Sequence, residues 1–180
     1  MRPRVLALFL SFALPATASA QGLMAEMHTS VNNVQKKITD LAKAIPEPAY
    51  SWRPTGARTV GEVLQHVAAD NYLIPIAMGK AAPASTGIIG TDYKTVQAYE
   101  KRKLTKDQIL AELDASFAHL HSAMGLTTDT NLNEPMKFFG QDYTRQRAML
   151  DTVTHLHEHL GQMIAYARSN NVVPPWSRGS

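Results

Sequence analysis

Cysteine is absent from all 180 residues of the chain. Disulfide bonds, thiolate nucleophiles and zinc sites with thiolate ligands are therefore excluded together. The sequence also lacks a strong excess of charge of one sign, with 18 Lys and Arg against 15 Asp and Glu. Because no basic stripe stands out, we expect no nucleic-acid partner. An alternating strand pattern and an internal repeat are missing as well, which disfavours β architectures and repeat proteins.

The N-terminus has the pattern of a secretory signal. Arg2 and Arg4 precede an apolar run over residues 5–14, and the small residues Ala18-Ser19-Ala20 follow it. This pattern predicts a signal peptide over residues 1–20, cleaved after Ala20, and a mature domain over residues 21–180. The run is too short for a permanent membrane anchor. We therefore expect an exported protein, periplasmic or extracellular, with no stable anchor and a net charge that falls from +3 to +1.

Apolar residues at three- and four-residue steps predict four amphipathic helices. Two capping boxes, Thr59 with Glu62 and Thr105 with Gln108, mark the starts of the second and third helices. The expected helices cover about 23–45, about 60–78, 105–125 and from 142–144 to about 169. Residues 79–104 form a long connection with a possible short helix over 92–103, and residues 138–140 form an apolar loop over the bundle. The prediction is an all-α four-helix bundle with a long connection between helices two and three.

Three of the seven histidines form a candidate metal site. His155 and His159 lie one turn apart on one face of the fourth helix, so both imidazoles can reach one ion. His66 borders the apolar face of the second helix and meets that pair if the two helices are neighbours. Three imidazoles with an open fourth position suit Zn²⁺ or a similar divalent ion. The pattern is not H-E-x-x-H, because Glu158 follows the wrong histidine, so a zinc protease is excluded.

Other polar residues share the same helix faces. Asp70 and Glu62 lie one turn after and one turn before His66, which makes them candidates for a catalytic base or a hydrogen-bond partner of an imidazole. Glu62 has a second explanation, since it also completes the capping box. Gln162 and Tyr166 continue the stripe of His155 and His159, and they are candidates for substrate binding. The remaining histidines of the other helices, His28, His119 and His121, are predicted to lie on the surface.

Two of these segments resemble motifs of one known family. Residues 60–68, VGEVLQHVA, and residues 155–162, HLHEHLGQ, resemble the second-helix and fourth-helix motifs of the DinB-like, damage-inducible four-helix-bundle proteins. Trp52-Arg53-Pro54 is similar to a further landmark of that family. The resemblance extends over about residues 23–177.

The resemblance implies a bundle in which three histidines bind a divalent metal, often zinc or nickel. At matching positions these histidines are His66, His155 and His159, so the motif is complete. Related bundles pair through a helix face, which implies a possible homodimer. Some are similar to metal-dependent thiol transferases and others to metal-dependent hydrolases. The export signal departs from the usual cytosolic pattern and disfavours a transferase that uses a cytosolic thiol.

Three functional hypotheses remain open from the sequence. The first is a metalloenzyme with a small-molecule substrate, a hydrolase before a transferase. The second is a non-catalytic envelope or stress protein with a structural metal, which binds a partner through residues 138–139 and Trp176. The third is a bundle with ordinary polar histidines and no metal.

Overall fold

The computed structural model describes residues 22–177, and the predicted signal peptide lies outside them. Five α-helices and one β-hairpin account for most of this range. They are α1 (Leu23–Ala44), α2 (Val60–Ala77), α3 (Tyr93–Glu100), α4 (Lys106–Met124), the strands β1 (Pro135–Phe138) and β2 (Gln141–Thr144), and α5 (Arg145–Ser169). Within residues 22–177, no helix combines the length and the apolarity needed to cross a membrane.

The long helices begin where the sequence places their caps. The Thr59 hydroxyl accepts a hydrogen bond from the backbone of Glu62, and the Glu62 carboxylate accepts one from the backbone of Thr59. Thr105 and Gln108 make the same reciprocal pair at the start of α4. These side chains satisfy backbone N–H groups that have no partner within the helix. Both predicted capping boxes are confirmed.

The four long helices contact one another in the cyclic order α1, α4, α2, α5 and back to α1. Helices that follow each other in the chain, α1 with α2 and α4 with α5, therefore lie on the diagonals of the bundle. The connection from α2 to α4 runs over residues 78–105 and contains α3, as predicted for the long connection. The neighbouring positions of α2 and α5 determine the geometry of the histidines.

A continuous apolar core joins the inward faces of the four long helices. Its fully buried side chains include Ile38, Leu64, Leu113, Phe117 and Met163. A smaller apolar cluster, in which Tyr72, Val96 and Tyr99 are buried, fixes α3 against the outer side of α2. This second cluster holds the long connection in a defined position beside α2.

Three details differ from the sequence-based prediction. Residues 135–144 form a short antiparallel hairpin with Phe138 paired to Gln141, whereas only an apolar loop was expected. As a consequence α5 begins at Arg145, with Thr144 as its N-cap. His119 is buried against Tyr72, with ring centroids 5.3 Å apart, so its predicted surface position is wrong.

Candidate metal centre

The imidazoles of His66, His155 and His159 come together where α2 and α5 pack side by side. Their ring centroids are 5.6 Å apart for His66 and His155, 4.8 Å for His66 and His159, and 4.5 Å for His155 and His159. The distance between His155 and His159 follows from their one-turn spacing within α5. The two distances to His66 follow from the packing of α2 against α5. The expected meeting of the three rings is confirmed.

Each of two rings has one nitrogen held by a neighbouring side chain. Nδ1 of His66 lies 2.7 Å from Oε1 of Glu100, at the end of α3. Nδ1 of His159 lies 3.0 Å from Oε1 of Gln162, one turn further along α5. As hydrogen-bond donors, these Nδ1–H groups leave Nε2 as the available ligand atom of each ring. Partners of this kind fix the tautomer and orientation of histidines that bind metals.

Asp70 lies where two of the imidazoles converge. Its Oδ2 is 2.7 Å from Nε2 of His155 and 3.3 Å from Nε2 of His66. The carboxylate follows His66 by one turn of α2, which brings it to the same face. Asp70 is therefore in contact with one ring nitrogen of His155 and one of His66. Among residues 22–177, it is the only predicted carboxylate with hydrogen-bond or ion-pair contacts to two of the three rings.

The donor set fits a divalent transition metal. One nitrogen from each of the three rings lies within 4.8 Å of the others, close enough for the three rings to share one ion. His66, Asp70 and Glu100 form a second, overlapping group of possible ligands. Because Glu100 faces the Nδ1 side of His66, the group of three histidines is the better assembled of the two. Three imidazoles suit zinc, nickel, copper or iron.

The surroundings of His159 favour neutral imidazole, the form that binds metals. Burial lowers the pKa of His159, and the neighbouring His155 and His66 lower it further. For Glu100, burial alone would raise the pKa, but the hydrogen bond to His66 and the nearby charge of Arg58 outweigh it and hold the pKa below its usual value. Glu100 is therefore an ionised acceptor beside His66 at neutral pH.

The other predicted site residues occupy positions around this centre. Glu62 caps α2 and belongs to neither group of possible ligands, so the structure gives it a cap contact and no contact with the three imidazoles. Gln162 donates from Nε2 to the Tyr166 hydroxyl at 3.0 Å, and the buried Tyr166 ring meets Trp52 edge-on. Gln162 and Tyr166 thus form a chain behind His159. Their predicted contact with a substrate stays a prediction.

Sequence reasoning missed Glu100 and the hairpin. Glu100 is the last residue of a short helix whose position depends on the irregular segment before it, so spacing along the chain could not assign it to the site. Its side chain is also held by Arg58, 3.3 Å away. The hairpin places Phe138 and Phe139 beside Asp70 and His155, where all four residues line one cavity.

A helical bundle with three histidines collected from two adjacent helices defines a class of candidate metalloproteins. The chain belongs to the DinB superfamily, whose family model matches residues 31–163. That range includes α2, the crossover and the histidines of α5. No curated protein matches the sequence.

Solved structures of similar fold come from other DinB-like proteins. A DinB-like protein from Bacillus cereus has 17% identity and a TM-score of 0.68, covering 86% of this chain and 97% of its own. A DinB-like protein from Bacillus subtilis has 13% identity and a TM-score of 0.62, covering 82% and 94%. YfiT from B. subtilis, described as a probable metal-dependent hydrolase with an unusual four-helix-bundle topology, has 15% identity and a TM-score of 0.66, covering 89% and 95%. At these identities the likeness establishes the fold.

Proposed function

We propose that this protein is a metal-dependent hydrolase that acts on a small molecule, with His66, His155 and His159 as the metal ligands. One observation carries the proposal: the three imidazoles converge while Glu100 and Gln162 occupy the outer nitrogens of His66 and His159. Zinc or nickel is the proposed ion. The description of YfiT as a probable metal-dependent hydrolase supports the same reaction class.

His66, His155 and His159 would hold a divalent ion, and this ion would supply Lewis acidity that lowers the pKa of water and polarises a substrate oxygen. The protein's own groups then orient the reactants and move protons. Asp70 is the proposed general base, because its carboxylate contacts both His66 and His155 and can accept a proton beside them. Glu100 and Gln162 hold the rings in place, and Glu62 stabilises the start of α2.

The ligand assignment is tested by metal content. We expect the His155→Ala variant to lose most of its bound zinc or nickel on dialysis, measured by elemental analysis. The matched control is His157→Ala, since the exposed His157 lies on the same helix and bonds to the Val153 carbonyl, outside the cluster. Equal metal content in the wild type and the His155→Ala variant overturns the proposal.

A second candidate function is a non-catalytic protein with a structural metal, and the position of Asp70 favours it. If Oδ2 of Asp70 acts as a fourth ligand, the site is closed and no position remains for a substrate. Cobalt-substituted protein separates the two candidates. Azide changes the visible spectrum when a coordination position is open, which we expect, and leaves it unchanged when Asp70 completes the coordination.

We also propose that the protein is exported to the periplasm or the extracellular space. The support is the residue pattern at positions 1–20, which lies outside the described residues. N-terminal sequencing of the protein from the culture medium and the envelope fraction is the test. We expect Gln21 as the first residue, and an intact N-terminus on protein found with the cytosol would contradict export.

A further inference from the structure

We propose that the cavity beside His155, formed under the tip of the β-hairpin, binds a small uncharged apolar group of the substrate, such as one aromatic ring or a short alkyl chain. The inference rests on the proposed function, because it assumes that the reacting bond lies over the histidine cluster. It adds the substrate class, which the three histidines do not determine.

The cavity adjoins the metal centre directly. His155 and Asp70 form one side of it, and Ile74, Phe138 and Phe139 provide apolar walls. Its volume of about 160 Å³ is close to that of an apolar cavity of roughly 150 Å³ that takes up one benzene molecule. The size therefore fits a single ring or a chain of a few carbons.

The charged groups at the cavity disfavour an anion. The cavity is lined by two carboxylates, Asp70 and Asp151, and by no lysine or arginine. Arg147 lies next to Asp151, with 4.0 Å between the guanidinium and the carboxylate, but it is not part of the lining. An anionic substituent that extends away from the proposed metal would approach two like charges. A neutral apolar group avoids this repulsion.

The turn at the hairpin tip holds a phenylalanine in a strained backbone conformation. The pairing of Phe138 with Gln141 leaves Phe139 and Gly140 as a two-residue turn, and both have positive φ, +48° and +76°. Turns of this kind favour Asn-Gly or Asp-Gly, because a bulky residue is strained in the left-handed region. A phenylalanine that is strained and 63% exposed indicates a contact made when a ligand is present.

The rest of the hairpin is fixed in place, so Phe139 is held at the cavity. Phe138 is buried, and its ring lies 4.5 Å from that of Phe139 and 5.0 Å from that of Tyr143 between centroids. A second cavity of about 210 Å³, lined in part by Leu73 and Ile76, lies against the same two phenylalanines. The two phenylalanines of the tip thus line both cavities, one of which adjoins His155.

The experiment measures how the metal-loaded protein binds three hydroxamates of different substituent, using isothermal titration calorimetry. Acetohydroxamate reports the open coordination position alone, benzohydroxamate adds a ring, and 4-carboxybenzohydroxamate adds a charge to the ring. We expect benzohydroxamate to bind about tenfold more tightly than acetohydroxamate, because the ring leaves water for an apolar cavity. We expect the added carboxylate to remove most of this gain.

Two substitutions at one position test the role of the hairpin tip. Phe139→Ala and Phe139→Asn should both lose most of the preference for benzohydroxamate while acetohydroxamate binds as before. Phe139→Asn relieves the strained turn, so its melting temperature should equal or exceed that of the wild type, which separates lost binding from lost folding. The control is Leu126→Ala, since Leu126 is exposed and apolar but lies outside both cavities.

The possible results distinguish failure of the apolar subsite from failure of the metal site. If acetohydroxamate binds but the ring adds no affinity, or if the preference survives in both Phe139 variants, the apolar subsite is wrong and the metal site stands. If the protein takes up metal but no hydroxamate binds, the coordination position is closed and both proposals fail.

Discussion

His66 lies between two carboxylates that act on opposite sides of its ring. Glu100 contacts Nδ1 at 2.7 Å, and Asp70 contacts Nε2 at 3.3 Å. A ring with a proton on Nδ1 donates to Glu100 and presents a lone pair on Nε2, which is the arrangement that a metal ligand needs. In the proposed site the two carboxylates therefore have different roles: Glu100 orients the His66 ligand, and Asp70 is the proposed general base.

We expect Glu100→Gln to weaken zinc affinity by roughly 10- to 100-fold, because an amide is a weaker acceptor for the His66 N–H than a carboxylate. Competition with a chromophoric chelator measures the affinity. Asp114→Asn is the control, since Asp114 is an exposed acid on α4. Unchanged affinity in Glu100→Gln would show that the His66–Glu100 contact does not orient the ligand.

Among individual residues, the sequence predicted those site residues that lie one turn apart on the same helix. His155 and His159 follow from a one-turn spacing, and Asp70 follows His66 by the same spacing, so helix geometry alone places them. Glu100 could not be predicted, because its position depends on tertiary packing of α3 through Val96 and Tyr99. Burial of His119 has the same origin, since it depends on the contact with Tyr72 across two helices.

Among the elements, α2 depends on its N-terminal cap. Thr59→Ala removes the hydroxyl that accepts from the Glu62 backbone, and we expect a loss of about 1 kcal/mol in the free energy of unfolding, measured by urea denaturation. Metal affinity should not change, because the cap lies two turns before His66. Thr105→Ala at the equivalent box of α4 is the matched control. A loss of metal in Thr59→Ala alone would instead give Glu62 a direct role in the site.

The crossover that contains α3 is hydrogen-bonded to Glu112 of α4, and the ionisation of this carboxylate depends on pH. Glu112 accepts from the Tyr99 hydroxyl at 2.7 Å and from Arg102 at 3.3 Å. Burial alone would raise the pKa of Glu112, but these hydrogen bonds and the charge of Arg102 hold it below its usual value. The carboxylate thus adds stability that is complete above the ordinary carboxyl pKa and is lost as pH falls through the lowered one.

We therefore expect Glu112→Gln to be less stable than the wild type at neutral pH. The difference in urea midpoint should shrink below the ordinary carboxyl pKa and vanish once Glu112 is protonated in both folded and unfolded states. Paired urea titrations between neutral and strongly acidic pH check this. A difference that stays constant over the whole pH range would mean that ionisation of Glu112 does not contribute.

Helix positions were predictable from period and caps, whereas the hairpin was not. Each strand has four residues, too few for an alternating pattern to stand out, and the turn carries Phe-Gly instead of the usual Asn-Gly. The sequence indicated an apolar loop over the bundle and missed its pairing. Phe139, the unusual residue of this turn, lies at the hairpin tip that lines the cavity beside His155.

For the whole molecule, the sequence predicted a four-helix bundle but did not determine the order of helices around it. Four apolar stripes of similar width can pack in several cyclic orders, and only the connections select one. The long crossover over residues 78–105 brings α4 beside α2, and the hairpin leads the chain to α5 on the other side of α2. The three histidines converge because this order makes α2 and α5 neighbours.

Since the proposed ligands come from two helices and their orienting residue Glu100 from a third, metal binding should stabilise the entire bundle. Zinc at roughly 100 times its dissociation constant adds about 2.7 kcal/mol, which for a domain of this size raises the melting temperature by roughly 5–10 °C. We expect chelator to remove this increase in the wild type and to leave His155→Ala unaffected, as measured by differential scanning calorimetry. If neither chelator nor added zinc moves the wild-type transition, the three imidazoles do not share an ion, and their convergence is a packing feature of α2 and α5.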